Sequence, residues 1–183
     1  MKKSQHHINA LLERCKNGDK AAQMQLYQSY YTAMYNASLR ILKDSYEAED
    51  IMQEAFLTAF TKLDTFQGKV AFGAWLKRIV INKSLTQLKK RNTYQDVKMD
   101  VLRESTSPEE VDIEYQSLKA KKVLEILNSL QDNYRIVLNL HLIEGYDYEE
   151  ISEILGYTNE NVRTTISRAK KKLKQQLVLE TAV

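Results

Sequence analysis

The sequence is short of the residues that build sheets and disulfides. Its 183 residues include one proline, five glycines and one cysteine. So few turn-forming residues argue against a sheet protein, which needs tight turns, and favour an all-α fold. The single cysteine, Cys15, excludes an internal disulfide and fits a reducing cytoplasm.

Long apolar runs and catalytic motifs are missing as well. No stretch approaches the ~20 apolar residues that span a bilayer, and the N-terminus does not resemble a signal peptide. The three histidines, His6, His7 and His141, do not stand at metal-ligand spacing, and no glycine-rich loop could cradle a phosphate. We therefore predict a cytoplasmic protein that is not an enzyme, uses no cofactor or metal and does not insert into a membrane.

Charge is separated into blocks along the chain. The formal net charge of +3 is too small to indicate a nucleic-acid-binding protein by itself. Residues 44–61, however, hold five acids and no base, and residues 65–95 hold seven bases and no acid. Residues 144–160 and 161–179 repeat the pattern with six acids and then six bases. Two basic segments predict two separate contacts with nucleic acid.

Apolar spacing and capping residues predict helices in two domains. In the first half we predict helices over 8–16, 19–43 capped by Asp19, 45–63 capped by Ser45, and 74–91 after a connection broken by Gly68 and Gly73. The polar, weakly periodic segment that follows contains Pro108 and predicts a linker, which can extend to about 80 Å. We place the domains at 1–92 and 116–183, joined by a linker at 93–115.

The C-terminal domain has the layout of a helix-turn-helix. Four helices are predicted: one over 118–130, one capped by Asp132 and stopping at Gly145, one from Asp147 to Gly156 with Glu150 completing a capping box, and one capped by Thr158. A short helix, a glycine turn and a longer basic helix are typical of DNA-binding proteins that read the major groove.

The last helix separates an apolar side from a polar side. The apolar stripe consists of Val162, Ile166, Ala169 and Leu173. If it packs inward, the residues that point away are Arg163, Thr164, Ser167, Arg168 and Lys171. An exposed helix start with these side chains can contact base edges, while the lysines of 170–174 lie along phosphates. The alternative is that the bases only complement the helix dipole.

Aromatic and basic residues alternate around the helix predicted at 74–91. Phe66, Phe72 and Trp75 stand beside several cations, and this combination suits unpaired bases, which stack on rings while cations follow the backbone. We predict Trp75 to be a core residue that shares a face with its neighbours. The residues from Phe66 to Lys69 lie in the connection and are better candidates for contact.

Two functions remain open at this point. A DNA-binding regulator acting alone would use the helix-turn-helix, usually as a dimer on a symmetric site. A helical adaptor that binds only proteins would leave both basic segments unexplained. The acidic block 44–61 is either an ordinary solvated face or a surface for a basic partner.

Three runs of residues resemble one known family. AEDIMQEAFL at 48–57, FGAWLKRIVIN at 72–82 and IEGYDYEEISEILGYTNENVRTTISRAKKKL at 143–173 are similar, in this order, to segments of the extracytoplasmic-function sigma factors of bacterial RNA polymerase. The resemblance implies a transcription initiation factor of two helical domains. It departs from the family at Thr165, where an arginine or lysine is frequent.

The resemblance assigns roles to individual residues. Asp50, Gln53 and Glu54 would bind a coiled coil of the polymerase β′ subunit, and the core enzyme, including its β subunit, would be the main partner. The −10 promoter element would be recognised and melted by Phe66, Gln67, Gly68, Lys69, Phe72, Trp75, Arg78, Asn82 and Lys83. The −35 element would be read by Arg163, Thr164, Thr165, Ser167, Arg168 and Lys171. An anti-sigma factor, membrane-bound for many relatives, would be a further partner.

Overall fold

The computed structural model describes residues 2–97 and 118–181, with side chains over 7–93 and 120–179. These ranges contain helices and no strand, which confirms the all-α prediction. The chain divides into two compact units, 1–109 and 110–183. None of the helices in the described ranges combines the length and hydropathy that a membrane span requires.

The described residues of the first unit form four α-helices. They are α1 (Lys2–Lys16), α2 (Lys20–Leu42), α3 (Ser45–Thr61) and α4 (Phe72–Val97), with a short 3₁₀ turn at Leu63–Thr65. Helices α1, α3 and α4 all pack against α2, which makes α2 the centre of the unit. Small buried residues on the packed faces, such as Ala22, Ala37 and Ala55, allow the helices to approach closely.

A buried pair of hydroxyls joins α2 to α4. Ser38 and Ser84 are fully buried, and their Oγ atoms lie 2.9 Å apart. Ser84 also donates to the carbonyl of Val80, so the two hydroxyls satisfy each other and the backbone. A buried polar group without such partners would destabilise the core.

Aspartates begin two helices of the first unit. Asp19 accepts hydrogen bonds from the backbone N–H groups of Ala21 and Ala22, which confirms it as the cap of α2. The bond from Ala22, together with the Arg14 guanidinium, lowers the pKa of the Asp19 carboxyl. The predicted cap Ser45 is wrong: Asp44 accepts from the N–H of Glu47, and Ser45 is the first helical residue.

Helix α4 begins earlier and ends later than the periodicity predicts. It includes Gly73, which was expected to break the chain, and continues through residues 93–97 of the predicted linker. The glycine at position 73 is explained by a tertiary contact, because a Cβ at this position would lie 2.7 Å from Cε1 of Tyr30. The glycine therefore permits a close approach of α2 and α4. The remainder of the predicted linker, from 98 to 115, lies outside the described residues.

The second unit consists of α5 (Leu118–Ser129), α6 (Asp132–Leu138), α7 (Tyr148–Leu155) and α8 (Asn159–Thr181), with a π-helical turn at Asn139–Ile143 between α6 and α7. Asp132 was predicted as the cap of α6 and instead occupies its first position, after Gln131. Its carboxylate accepts a bond of 2.8 Å from Nη2 of Arg135, which is fully buried. A buried guanidinium requires such a partner, and this need competes with capping.

The local geometry of the helix-turn-helix agrees with the sequence. Asp147 and Glu150 form a reciprocal capping box at the start of α7, and Gly156 ends α7 with a positive φ of 68°. Thr158 Oγ1 then accepts from the N–H of Asn161 at the start of α8. Along α8 the predicted stripe is confirmed, since Val162, Ile166, Ala169 and Leu173 are all buried.

Candidate functional site

The first candidate surface is the acidic face of α3, which we define as Asp50, Gln53 and Glu54. All three side chains are exposed, because the opposite side of α3 contributes Ile51, Ala55 and Phe56 to the core. Helical spacing of three and four residues places the three polar groups side by side. The unit therefore exposes negative charge on the face to which the resemblance assigned partner binding.

Two exposed apolar side chains stand on α3 beside this face, and neither was among the predicted site residues. Tyr46 is 79% exposed and Leu57 is 68% exposed. Leu57 lies three residues after Glu54 and seven after Asp50, so it continues the acidic face by one turn. The spacing along the sequence could have predicted this exposure, because Leu57 falls outside the apolar seam of α3.

The structure joins one residue of the acidic face to a predicted DNA contact. Nζ of Lys83 on α4 lies 3.2 Å from Oε2 of Glu54 on α3. The Lys83 side chain is 30% exposed and that of Glu54 is 59% exposed, so solvent weakens the pair. Glu54 and Lys83 thus share one surface where α3 meets α4.

Another cation of the basic helix supports the fold. Arg91 Nη1 donates to the carbonyl of Leu42 at the end of α2 and to Oε2 of Glu47 on α3, both at 3.1 Å. Gln87 donates to the other carboxylate oxygen of Glu47. Arg91 therefore binds two neighbouring helices to α4, a role that its position in a basic block did not indicate.

The second candidate surface is the aromatic loop, which we define as residues 66–72. Gln67, Gly68 and Lys69 are exposed at its tip, and Gly68 takes a positive φ of 68°. The rings at its two ends are not equally accessible: Phe66 is half-buried, whereas Phe72 is 1% exposed. The tip is thus free to meet a ligand, while Phe72 forms part of the floor beneath it.

An aromatic cluster supports this loop. Phe66 lies 5.8 Å from Phe72 and 5.2 Å from Trp75 between ring centroids, and the ring of Tyr30 lies 5.5 Å from Phe72. Burial raises the pKa of the Tyr30 hydroxyl. Trp75 is half-buried against the core, as its predicted core position requires. The cluster holds both ends of the loop in place.

The helix after the loop continues the surface. Trp75, Arg78 and Asn82 stand at positions i, i+3 and i+7 on α4 and therefore share one side of the helix. Asn82 is exposed, and Arg78 is half-buried. The structure thus places these predicted residues on the helix that the loop leads into.

The third candidate surface is the reading face of α8, which we define as Arg163, Thr164, Ser167, Arg168 and Lys171. All five residues are exposed, opposite the buried stripe of the same helix. Thr165 is half-buried, and its hydroxyl donates to Oδ1 of Asn161 at 3.0 Å. Thr165 therefore bonds within the helix and stands apart from the exposed residues.

Among the described side chains, Arg163 differs from the other cations of the reading face because it contacts an amide and a ring. Its Nε donates to Oδ1 of Asn159 at 2.8 Å, and its guanidinium carbon lies 5.5 Å from the ring centre of Tyr148 on α7. Tyr148 in turn stacks on His141, with ring centroids 5.1 Å apart. His141 accordingly packs on a neighbouring ring, and its Nδ1 lies 3.1 Å from the Tyr146 carbonyl oxygen.

The titratable groups of the described residues include one buried thiol. In the part of the chain that the structure describes, no three His, Cys, Asp or Glu side chains are arranged to hold a metal ion. Cys15 is buried, and desolvation raises the pKa of its thiol, so little nucleophilic thiolate forms near neutral pH. The exposed surfaces are suited to binding.

Two protein-family models match the chain. Residues 26–93 match the family described as Sigma-70 region 2, and residues 120–173 match Sigma-70, region 4. The first match contains the acidic face and the aromatic loop. The second contains the reading face.

Curated proteins of several bacteria are similar over nearly the full length. The ECF RNA polymerase sigma factor SigW of Bacillus subtilis is 30% identical, with 93% of this chain and 96% of that protein covered. The RNA polymerase sigma-H factor of Pseudomonas aeruginosa is also 30% identical, with 95% of each chain covered.

Solved structures agree with the helical architecture. The sigma factor RpoE of Bartonella quintana, in a complex with the anti-sigma factor NepR, has a TM-score of 0.65 at 25% identity, with 84% of this chain and 95% of that chain covered. CnrH, in a complex with the cytosolic domain of CnrY, has a TM-score of 0.57 at 25% identity, with 93% of this chain and 96% of that chain covered.

Proposed function

The chain belongs to the extracytoplasmic-function group of the sigma-70 family, and we propose that it directs RNA polymerase to promoters through the three surfaces described above. In this proposal residues 1–92 bind polymerase core and melt the −10 element, residues 93–115 link the domains, and residues 116–183 bind the −35 element. The observation that carries the proposal is that the acidic face belongs to one unit and the exposed cations of α8 to the other. One surface suits a basic protein and the other suits DNA.

The acidic face is proposed to bind a basic coiled coil of the polymerase β′ subunit. Its carboxylates attract such a surface and accelerate association. Leu57 and Tyr46, exposed on the same helix, supply apolar area that becomes buried in a complex. This mixture of apolar side chains and surrounding charge is typical of protein interfaces.

The aromatic loop is proposed to capture an unpaired base of the −10 element. Gln67 and Lys69 offer polar and charged groups at the exposed tip, and the Phe66 ring is partly accessible for stacking. Phe72 is too deeply buried to meet a base, so its proposed role is to support the loop. Flipping a base costs a few kcal/mol, which stacking at about 1–3 kcal/mol per base can offset.

The reading face is proposed to enter the major groove at the −35 element. Arg163 and Arg168 can form paired hydrogen bonds with a guanine, and Thr164 and Ser167 can contact either kind of base pair. Thr165 makes its hydrogen bond to Asn161, so we assign it no direct base contact. The lysines that follow Arg168 on α8 would meet phosphates and contribute affinity without sequence preference.

The same family relationship supports proposals about regulation and location. Two solved structures similar to this chain are complexes. One is RpoE with the anti-sigma factor NepR, and the other is CnrH with the cytosolic domain of CnrY. We propose that this chain also has an anti-sigma partner, that it acts in the cytoplasm and that it breaks no covalent bond itself. Polymerase would supply all the catalysis.

The test is reconstituted transcription with purified polymerase core. A promoter library transcribed with and without the chain selects a cognate promoter, on which a variant with Gln67, Gly68 and Lys69 replaced by alanine is then assayed. We expect this variant to bind core normally but to lose about 10- to 150-fold of its activity on duplex DNA, the factor equivalent to one hydrogen bond to a charged group at about 1.5–3 kcal/mol. A template with a pre-opened −10 bubble should recover much of the loss.

The matched control is Gln25→Ala with Gln28→Ala. These exposed side chains line a groove between α1 and α2, away from the aromatic loop in sequence. The control should transcribe both templates like the wild type. Transcription that does not depend on the chain would refute the sigma-factor proposal, and tight, polymerase-independent binding to a symmetric duplex would favour a regulator acting alone. Equal activity of the loop variant on duplex and bubble templates would refute only the melting role.

A further inference from the structure

We propose that Tyr148 and Asn159 are positioning residues for Arg163, so that base preference at the −35 element depends on two side chains that do not read the base. This inference rests on the proposed function of the reading face. It concerns how one arginine of that face is prepared before DNA arrives.

Two contacts from different elements hold Arg163. Asn159, the first residue of α8, accepts the Nε–H of Arg163 at 2.8 Å. Tyr148, the first residue of α7, places its ring 5.5 Å from the guanidinium carbon. A cation over a tyrosine ring is attracted by the negative face of the ring. The two contacts together restrict a long side chain that would otherwise sample many rotamers.

Tyr148 is itself held in place. Its ring stacks on His141 at 5.1 Å, and Nδ1 of His141 lies 3.1 Å from the carbonyl oxygen of Tyr146. The residue before Tyr148 is Asp147, whose capping box with Glu150 fixes the start of α7. The ring that supports Arg163 is therefore attached to a rigid part of the fold.

The choice of donor atom matters for recognition. A guanidinium has five N–H donors, and Asn159 uses the single one on Nε. The four N–H donors on the terminal nitrogens remain for a ligand. Paired contact with guanine O6 and N7 needs two parallel donors of this kind. Asn159 therefore orients the guanidinium without occupying its terminal nitrogens.

Arg168 provides an internal comparison. It is exposed on the same face of α8 and, among the side chains that the structure describes, it has no ring or amide contact comparable to that of Arg163. Loss of Tyr148 or Asn159 should therefore change preference at the base pair that Arg163 reads. It should leave preference at the base pair of Arg168 unchanged.

The experiment measures holoenzyme transcription on promoters carrying each base at every −35 position. Tyr148→Leu and Asn159→Ala should each reduce discrimination at the Arg163 position by about 2- to 5-fold, the factor expected for an exposed cation–π contact or a single hydrogen bond. Tyr148→Phe keeps the ring and Asn159→Asp keeps the acceptor, so both should retain the wild-type preference. Melting curves verify that every variant is folded.

The decisive arm repeats Tyr148→Leu and Asn159→Ala in an Arg163→Ala background. If both residues act through Arg163, neither substitution should change base preference further. A full effect without Arg163 would overturn the inference. So would a loss with Tyr148→Phe equal to that with Tyr148→Leu, because that result means the hydroxyl contacts DNA directly.

Failure of the inference can be told apart from failure of the proposed function. If Arg163→Ala leaves base preference unchanged, both the inference and the reading role of Arg163 are overturned. Transcription by the wild-type holoenzyme still reports the sigma-factor function independently. If Tyr148→Leu does not fold, Asn159→Ala at the start of α8 tests the same mechanism on its own.

Discussion

The two acid-then-base segments of this chain have the same charge order but different structural roles. In the first unit the acidic helix α3 packs on the basic helix α4, and polar contacts cross between them: Glu54 with Lys83, and Glu47 with both Gln87 and Arg91. In the second unit the lysines 170, 171, 172 and 174 of α8 are exposed and take part in no ion pair among the described side chains.

A block of charge is therefore not by itself an interface. Helix α4 has Leu76, Val80 and Ile81 buried in its unit, so cations at the borders of its buried face can reach the carboxylates of α3. Helix α8 buries one narrow stripe and leaves its remaining sides to solvent. The cations of α8 are therefore available to a partner, whereas part of the positive charge of α4 is already used within the fold.

The largest expected effect is on the affinity for polymerase core. It distinguishes two acids of the acidic face, Asp50 and Glu54, of which Glu54 pairs with Lys83 on α4. Asp50→Lys should weaken binding to polymerase core tenfold or more, because it places like charge against a basic partner, while helix content stays unchanged. Glu54→Gln should have a smaller effect, since it removes a charge that Lys83 already balances in part. A fluorescence titration with core enzyme measures both affinities.

The control for this titration is Asp64→Lys, an exposed acid in the 3₁₀ turn outside the acidic face. It changes the net charge by the same amount as Asp50→Lys. Equal weakening by both variants would mean that the acidic face acts only through overall charge. Unchanged affinity with Asp50→Lys would remove α3 from the interface.

A smaller effect is expected on stability when the internal pairing of the first unit is removed. Arg91→Ala should lower the free energy of unfolding by about 1–2 kcal/mol, because it takes donors from Glu47 and from the carbonyl of Leu42. The Arg91 side chain is only 21% exposed and that of Glu47 25%, so solvent replaces these bonds poorly. Urea unfolding followed by circular dichroism gives the value.

Lys90→Ala is the matched control, since Lys90 is the exposed neighbour of Arg91 on α4. It should change the free energy of unfolding by less than about 0.5 kcal/mol. If both variants destabilise equally, the contacts of Arg91 do not matter to the fold, and the contrast between α4 and α8 is lost.

The smallest effect on stability is expected in the second unit. Lys172→Ala with Lys174→Ala should change the free energy of unfolding by less than about 0.5 kcal/mol, since both residues are exposed. Holoenzyme binding to promoter DNA should weaken evenly across −35 sequences. The slope of log affinity against log salt should fall by about 0.9 for each lost phosphate contact. An unchanged slope would show that these lysines do not contact DNA.

The features that depend on near neighbours could be predicted from the sequence. The cap at Asp19, the Asp147–Glu150 box, the glycine stop at Gly156 and the apolar stripe of α8 were all predicted and are present. Each one involves residues within about four positions or repeats with the period of a helix, so it is readable along the chain. Family resemblance added the expected roles of the surfaces, since the charge blocks alone left two functions open.

Tertiary structure decided how individual residues are used. Gly73 was predicted from the sequence to break the helix, but it lies inside α4. A glycine is required there because a side chain would collide with Tyr30. Glu54 and Lys83 are 29 positions apart and meet only because α3 packs on α4. Arg163 likewise meets Tyr148 only because α7 packs on α8. Local patterns determine where helices form, but contacts between helices depend on their packing, which no spacing along the chain specifies.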